Sequence, residues 1–200
     1  SMNKDAILAY LTKHKDEFAQ KYHISNIALF GSFARNENRY DSDIDIAIDT
    51  KLSDYFLLYD FKESLEKAFD TKVDIVRLRE KMNPSLKKRI LKDGIYVERC
   101  TFATCQNDFM DTKEGQEKLD SICMKLIAIG ESLKNIDKIT DNKLLASYSL
   151  IEWKKIKGIR DFISHHYFDL DAEVIFGICK NKIGDLLMVL KQIKLDLEKM

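Results

Sequence analysis

The sequence predicts an α+β protein in which alternating strands and helices are followed by a stretch that reads as helix alone. Through Arg99, short apolar runs alternate with longer segments of helical periodicity, and beyond residue 111 no strand alternation remains. Only seven glycines and one proline interrupt 200 residues, which favours long regular elements over elaborate loops. Strand-containing text followed by helix-only text means two structural units, here 1–99 and 108–200, joined near residues 100–108. Each is long enough to bury a core of its own.

The elements follow in order. Asn3 to Tyr22 places Ile7, Tyr10, Leu11, His14 and Phe18 near one helical face. Asn26 to Phe30 is a short apolar run stopped by Gly31-Ser32, a buried strand entering a tight turn. Asp43 to Asp49 alternates strictly, with Ile44, Ile46 and Ile48 on one side and Asp43, Asp45, Ala47 and Asp49 on the other, as in a half-buried strand. Asp54 to Phe69 reads as a helix with Leu58, Phe61, Leu65 and Phe69 inward, and Lys72 to Leu78 as a strand. Asn83 caps a helix with Pro84 at its first position and Gly94 just past its end, and Ile95 to Glu98 makes a last short strand. Thr112 then caps a long helix with Leu119, Ile122, Cys123, Leu126, Gly130 and Leu133 at three- and four-residue steps. Helices from Ile151 to His166 and from Ala172 to Met200 complete the chain, the last with Ile178, Leu186, Leu190, Ile193 and Leu197 inward.

Charge excludes some classes of function. Lysine plus arginine equals aspartate plus glutamate, 33 against 33, and 18 of those basic and 17 of those acidic residues lie at or before Arg99. Neither part is a polybasic nucleic-acid clamp, so any RNA contact must come from a local patch. No apolar run approaches the ~20 residues needed to cross a bilayer. The four cysteines, Cys100, Cys105, Cys123 and Cys179, lack CxxC spacing, and no signal-peptide pattern opens the chain. The expectation is free thiols in a reducing cytoplasm.

Asp43 and Asp45, at i and i+2 on a strand, point to the same side. Two such carboxylates repel, and a divalent cation relieves the repulsion; magnesium prefers these hard oxygen ligands together with phosphate. Asp74 lies on the strand Lys72–Leu78, and if that strand neighbours Asp43–Asp49 a third carboxylate joins them. Three carboxylates can hold two metal ions, which suits in-line nucleotidyl transfer. Gly31 lets backbone approach a phosphate, and Ser32 offers a hydroxyl and an amide to the same oxygens.

Gly-Ser, ten residues, Asp-x-Asp resembles the signature of the DNA-polymerase-β-like nucleotidyltransferases, in particular their minimal (MNT) branch, over roughly residues 20–98. The resemblance implies a short mixed sheet backed by helices, with Gly31 and Ser32 holding the ATP triphosphate and Asp43 and Asp45 ligating magnesium. It makes Asp74 a further metal ligand or the base for the acceptor hydroxyl, and Arg35 a candidate phosphate contact.

A second pattern closes the helix that begins near Ile151. Arg160, His165 and Tyr167 suit a metal-free ribonuclease pair plus a phenol. The guanidinium would stabilise a charged phosphorane, and an imidazole titrating near neutrality would move a 2′-hydroxyl proton. Read from the residues alone, an ion-paired arginine, a histidine at a helix C-terminus and a packed tyrosine are the better account of the segment. Arg-x4-His-x-Tyr with Ile-Ala-Ile-Gly-Glu-Ser at 127–132 resembles the HEPN (HepT-like) helical domains over about residues 108–195, with the usual opening helix missing or shortened. That resemblance implies an RNA-cleaving toxin whose motif tyrosine, Tyr167, accepts AMP from an MNT partner. The expected whole is a cytoplasmic, toxin–antitoxin type MNT–HEPN fusion that uses ATP and two magnesium ions. It would act on the HEPN domain of its own or a second chain, with RNA a candidate ligand and a homodimer the expected assembly. Two other readings stay open: transfer to a small molecule, as in aminoglycoside nucleotidyltransferases, and an inactive fusion serving as a binding or dimerisation module. His165-His166 lacks a third zinc ligand; His14, His23 and the run Lys87-Lys88-Arg89 read as structural or solvated.

Overall fold

The computed structural model describes residues 2–97, 113–165 and 167–200, without the side chains of Lys113, Glu114 and Tyr167. The expected strand end at Glu98, the cap at Thr112, Cys100 and Cys105, His166 and the region of the shortened opening helix lie outside the described residues. The chain divides into two compact units, Ser1–Gln106 and Asn107–Met200.

In the first unit α1 (Lys4–Tyr22) leads into β1 (Ile24–Phe30), a single helical turn α2 (Gly31–Ala34) and β2 (Ile44–Thr50). There follow α3 (Tyr55–Phe69), β3 (Val73–Arg77), α4 (Pro84–Asp93) and the two-residue β4 (Ile95–Tyr96). Short polar side chains start the helices as their positions demand. Asn3 Oδ1 accepts from the Ala6 amide at 2.9 Å, Asp54 Oδ1 from Phe56 at 2.9 Å, and Asn83 Oδ1 from Leu86 at 3.1 Å with Pro84 next in line. The sheet is mixed, in the order β3-β2-β1-β4. β1 runs antiparallel to β2 and β4, while β2 and β3, joined by the crossover helix α3, run parallel.

One face of the sheet carries Ile27, Leu29, Ile44, Ile46, Ile48, Val73 and Ile75. It packs on Ile7, Leu11 and Phe18 of α1 and on Phe61, Leu65 and Phe69 of α3. The other face is covered as well, which corrects the half-buried reading of β2. Ala47 is fully buried because Leu86 and Ile90 of α4, with Leu78 and Met82 before it, close over Ala28, Phe30, Ala47 and Val76; Asp49 is nearly buried too. Gly31-Ser32 also differs from expectation, forming a helical turn rather than a simple bend.

The second unit is helical: α5 (Lys113–Ile139), α6 (Trp153–His165), α7 (Ala172–Asn181) and α8 (Ile183–Glu198), with 3-10 turns at Leu145–Ser147 and Tyr167–Asp169. Leu119, Cys123, Leu126 and Leu133 of α5 and Ile156, Ile159 and Ile163 of α6 are buried. Helices α5 and α6 approach closely at Gly130, where an added Cβ would lie 3.3 Å from the Arg160 Cβ. An ion pair between Lys157 and Asp137 joins the same two helices. The single helix expected from Ala172 to Met200 is broken at Lys182 (φ −120°, ψ −29°), between Asn181 and Gly184, both poor helix formers. Leu197, expected inward, is about half exposed. Among the described residues no helix is long and apolar enough to cross a membrane.

Cys123 and Cys179 are free thiols. Burial pushes the Cys123 thiol up to about 11, with Asp120 and Cys179 adding to the effect, so near neutrality it behaves as a small apolar core residue.

Phe61 is fully buried at the meeting of α1, α3 and the sheet, with its ring centroid 5.1 Å from that of Phe18. Phe61→Ala should lower the unfolding free energy by about 3–5 kcal/mol in chemical denaturation. Ile139→Ala, at a position 83% exposed, should change it by less than about 0.5 kcal/mol.

Candidate functional site

β1 ends in extended backbone at Phe30, and Gly31 then takes φ +74°, a conformation that disfavours any side chain. Space imposes the same requirement: a Cβ on Gly31 would lie 2.1 Å from Asp45 Oδ2. The Asp45 carboxylate therefore rests against the glycine backbone. The register explains the contact, since Phe30 pairs with Asp45 across the antiparallel β1–β2 ladder. After Gly31 the chain folds into α2, with the Arg35 amide donating to Gly31 O at 3.2 Å and the Glu37 amide to Ser32 O at 2.8 Å.

The parallel pairing of β2 with β3 sets Asp45 opposite Asp74. Asp43 is the residue before β2, where the Ile44 amide donates to Lys72 O at 2.9 Å and holds the starts of the two strands together. A carboxylate oxygen of Asp43 and one of Asp74 come within 4.8 Å of each other. Asp45 and Asp74 share strand parity with Ala47 and Val76, and so belong to the sheet face that α4 covers farther along. Asp43, Asp45, Asp74, Gly31 and Ser32 are all half-buried. The structure thus brings five of the sequence-derived residues to one edge of the unit. A set of hard carboxylate oxygens around a half-buried point fits a divalent cation such as magnesium.

Arg35 caps the C-terminal end of α2, and its guanidinium is engaged. Nε donates to Glu37 Oε2 at 2.9 Å and Nη1 to Asp93 Oδ2 at 2.7 Å. Those hydrogen bonds, to Glu37 and then Asp93, raise the guanidinium above its ordinary value. Nothing in the sequence pointed to Asp93, which stands 58 residues away at the end of α4.

In the second unit Arg160 is paired from Nε to Glu131 Oε1 at 3.0 Å and from Nη1 to Asp161 Oδ1 at 3.2 Å. Glu131 lies in the Ile-Ala-Ile-Gly-Glu-Ser segment, but its contact with Arg160 is not visible from spacing. His165 is the last residue of α6 and is exposed. The helix ends there, so Arg160 lies within α6 and Tyr167 beyond it. Tyr167 opens the 3-10 turn that follows, and its side chain lies outside the described residues.

Residues 12–99 match the polymerase β nucleotidyltransferase family, and residues 95–193 match the family described as ribonuclease HepT-like. The Methanocaldococcus jannaschii protein MJ0128, provisionally named a protein adenylyltransferase, is 41% identical over 88 residues, which span 44% of this chain and 90% of that protein. The protein adenylyltransferase MntA of Thermococcus cleftensis is 30% identical over 94 residues, 46% of this chain and 94% of MntA. A crystal structure of an MntA–HepT toxin–antitoxin mutant is also similar, at 22% identity and a TM-score of 0.39, covering 70% of this chain and 99% of that one.

Gly31→Ala must displace the Asp45 carboxylate and strain the backbone. It should weaken magnesium or manganese binding by at least about tenfold in isothermal titration while circular dichroism stays that of the folded protein.

Proposed function

We propose that this chain, which belongs to the polymerase β nucleotidyltransferase family through its first half and to the HepT-like family through its second, transfers AMP from ATP to a protein tyrosine. The observation that carries the reading is the placement of Asp43 close to Asp74, with Asp45 opposite Asp74 in register and its carboxylate against the Gly31 turn. The relatives' names support AMP as the group moved and protein as its acceptor.

In this reading residues 1–99 form the transferase domain and 108–200 the HEPN-like domain. Gly31 and Ser32 hold the triphosphate by close backbone approach and by the serine hydroxyl and amide. Asp43, Asp45 and Asp74 hold two magnesium ions. When bound, the metal neutralises charge that builds on the phosphate oxygens. Asp74, opposite Asp45 on the neighbouring strand, also accepts the proton of the acceptor phenol, which at an unperturbed pKa of about 10 is a weak nucleophile without a base. The phenolic oxygen bonds to the α-phosphorus, the bond from that phosphorus to the bridging oxygen breaks, and pyrophosphate leaves.

The acceptor is Tyr167, of the same chain or of a second copy in a homodimer. Arg160 and His165 form the ribonuclease pair, Arg160 stabilising the phosphorane and His165 moving the 2′-hydroxyl proton. An adenylyl group on Tyr167 adds bulk and negative charge next to them in sequence and closes the RNA site. The assignment makes the chain a cytoplasmic enzyme of the toxin–antitoxin type.

Purified protein incubated with ATP and magnesium should gain the mass of one or more AMP groups, read by intact mass spectrometry. Asp43→Ala or Asp45→Ala should lower the rate by at least about a hundredfold, and Tyr167→Phe should remove acceptance. If neither this chain nor a separate HEPN domain gains AMP, protein adenylylation is excluded.

A further inference from the structure

The Gly31–Ser32 turn is too short to hold itself in place. Forming a first helical turn costs more than its hydrogen bonds return, and Phe30 at the N-cap supplies no side-chain bond. Its fixed shape must come from neighbours. The Asp45 carboxylate supports one end, against Gly31. The other end is held by Arg35, the C-cap of α2, whose Nη1 donates to Asp93 Oδ2 at 2.7 Å and whose Nε donates to Glu37 Oε2 at 2.9 Å. The Asp93 side chain is only 11% exposed, against 40% for Arg35, so the acidic partner of this pair is shielded from water.

Asp93 is also a poor choice for its own helix. It is the last residue of α4, where the free backbone carbonyls make a negative charge unfavourable. Its role lies across the gap, in the bond to Arg35. Arg35 is engaged by two carboxylates, Glu37 and Asp93.

We infer that Asp93 is a positioning residue for nucleotidyl transfer: through Arg35 it ties the turn bearing Gly31 and Ser32 to the end of α4. Arg35 then acts by way of this tie and not by touching the triphosphate. The inference rests on the nucleotidyl-transfer reading for its kinetic consequence, and on geometry alone for its structural one.

Hydrogen exchange and ATP titration of the full chain, as wild type, Asp93→Asn, Arg35→Gln and the double variant, test both. The Asn36 and Glu37 amides, bonded to Phe33 O and Ser32 O, report on the turn. They should exchange about tenfold faster in either single variant while amides of β1 and β2 keep their protection. The KM for ATP should rise several-fold with kcat within about twofold, and the double variant should be no worse than either single one. Unchanged exchange at Asn36 and Glu37 in both variants overturns the tie. So does a lower KM in Asp93→Asn, which would mean that Asp93 merely competes with phosphate for Arg35. If wild type neither binds nor turns over ATP, the transfer reading falls, and the exchange data still decide whether the tie exists.

Discussion

The parallel pairing of β2 with β3 is the constraint on which the acidic site depends. Parallel neighbours cannot be joined by a tight turn, so the chain must cross over through α3. That crossover, buried through Phe61, Leu65 and Phe69, sets the register in which Asp45 faces Asp74. Because side chains alternate along a strand, a slip of one residue would send the β3 carboxylate to the α1–α3 face and bury it among isoleucines. Core packing and carboxylate placement are therefore fixed by the same pairing.

Much of the first unit was legible because its signals are local. Asn83 and Pro84 bound α4 at its start as their conformational preferences require, Gly94 ends it where a Cβ would lie 2.4 Å from Ile90 O, and the alternation of Ile44, Ile46 and Ile48 marked β2 and the orientation of Asp45. The position of Asp74 needed one further assumption, that its strand is adjacent. Other features depend on contacts between distant residues and left no local trace. The covering of Ala47 by α4 could not be read from β2, whose pattern is that of a one-sided strand. The pairing of Arg35 with Asp93 joins two surface-like residues whose neighbours in sequence give no hint of each other. In the last helical stretch the apolar spacing continues through Lys182 while the backbone does not, because the pattern records which face is apolar and not whether the helix is continuous.

Arg160 differs from Arg35 in the burial of its partners. Glu131 and Asp161 are 48% and 63% exposed, whereas Asp93 is 11% exposed. Exposed ion pairs such as those of Arg160 are worth about 0–1 kcal/mol. Gly130 contributes differently: by omitting a side chain it lets α5 come close to α6 at Arg160, which brings the Glu131 carboxylate within reach of the guanidinium.

Among the described residues β3 has a hydrogen-bonded strand on one side only, since it ends the order β3-β2-β1-β4. Asp45 sits on an interior strand clasped from both sides, whereas Asp74 sits on the margin. The two carboxylates thus differ in what holds them: the backbone at Asp45 is laddered on both sides, to Phe30 and to Asp74, whereas β3 takes its ladder from β2 alone, so the place of Asp74 depends on that one pairing.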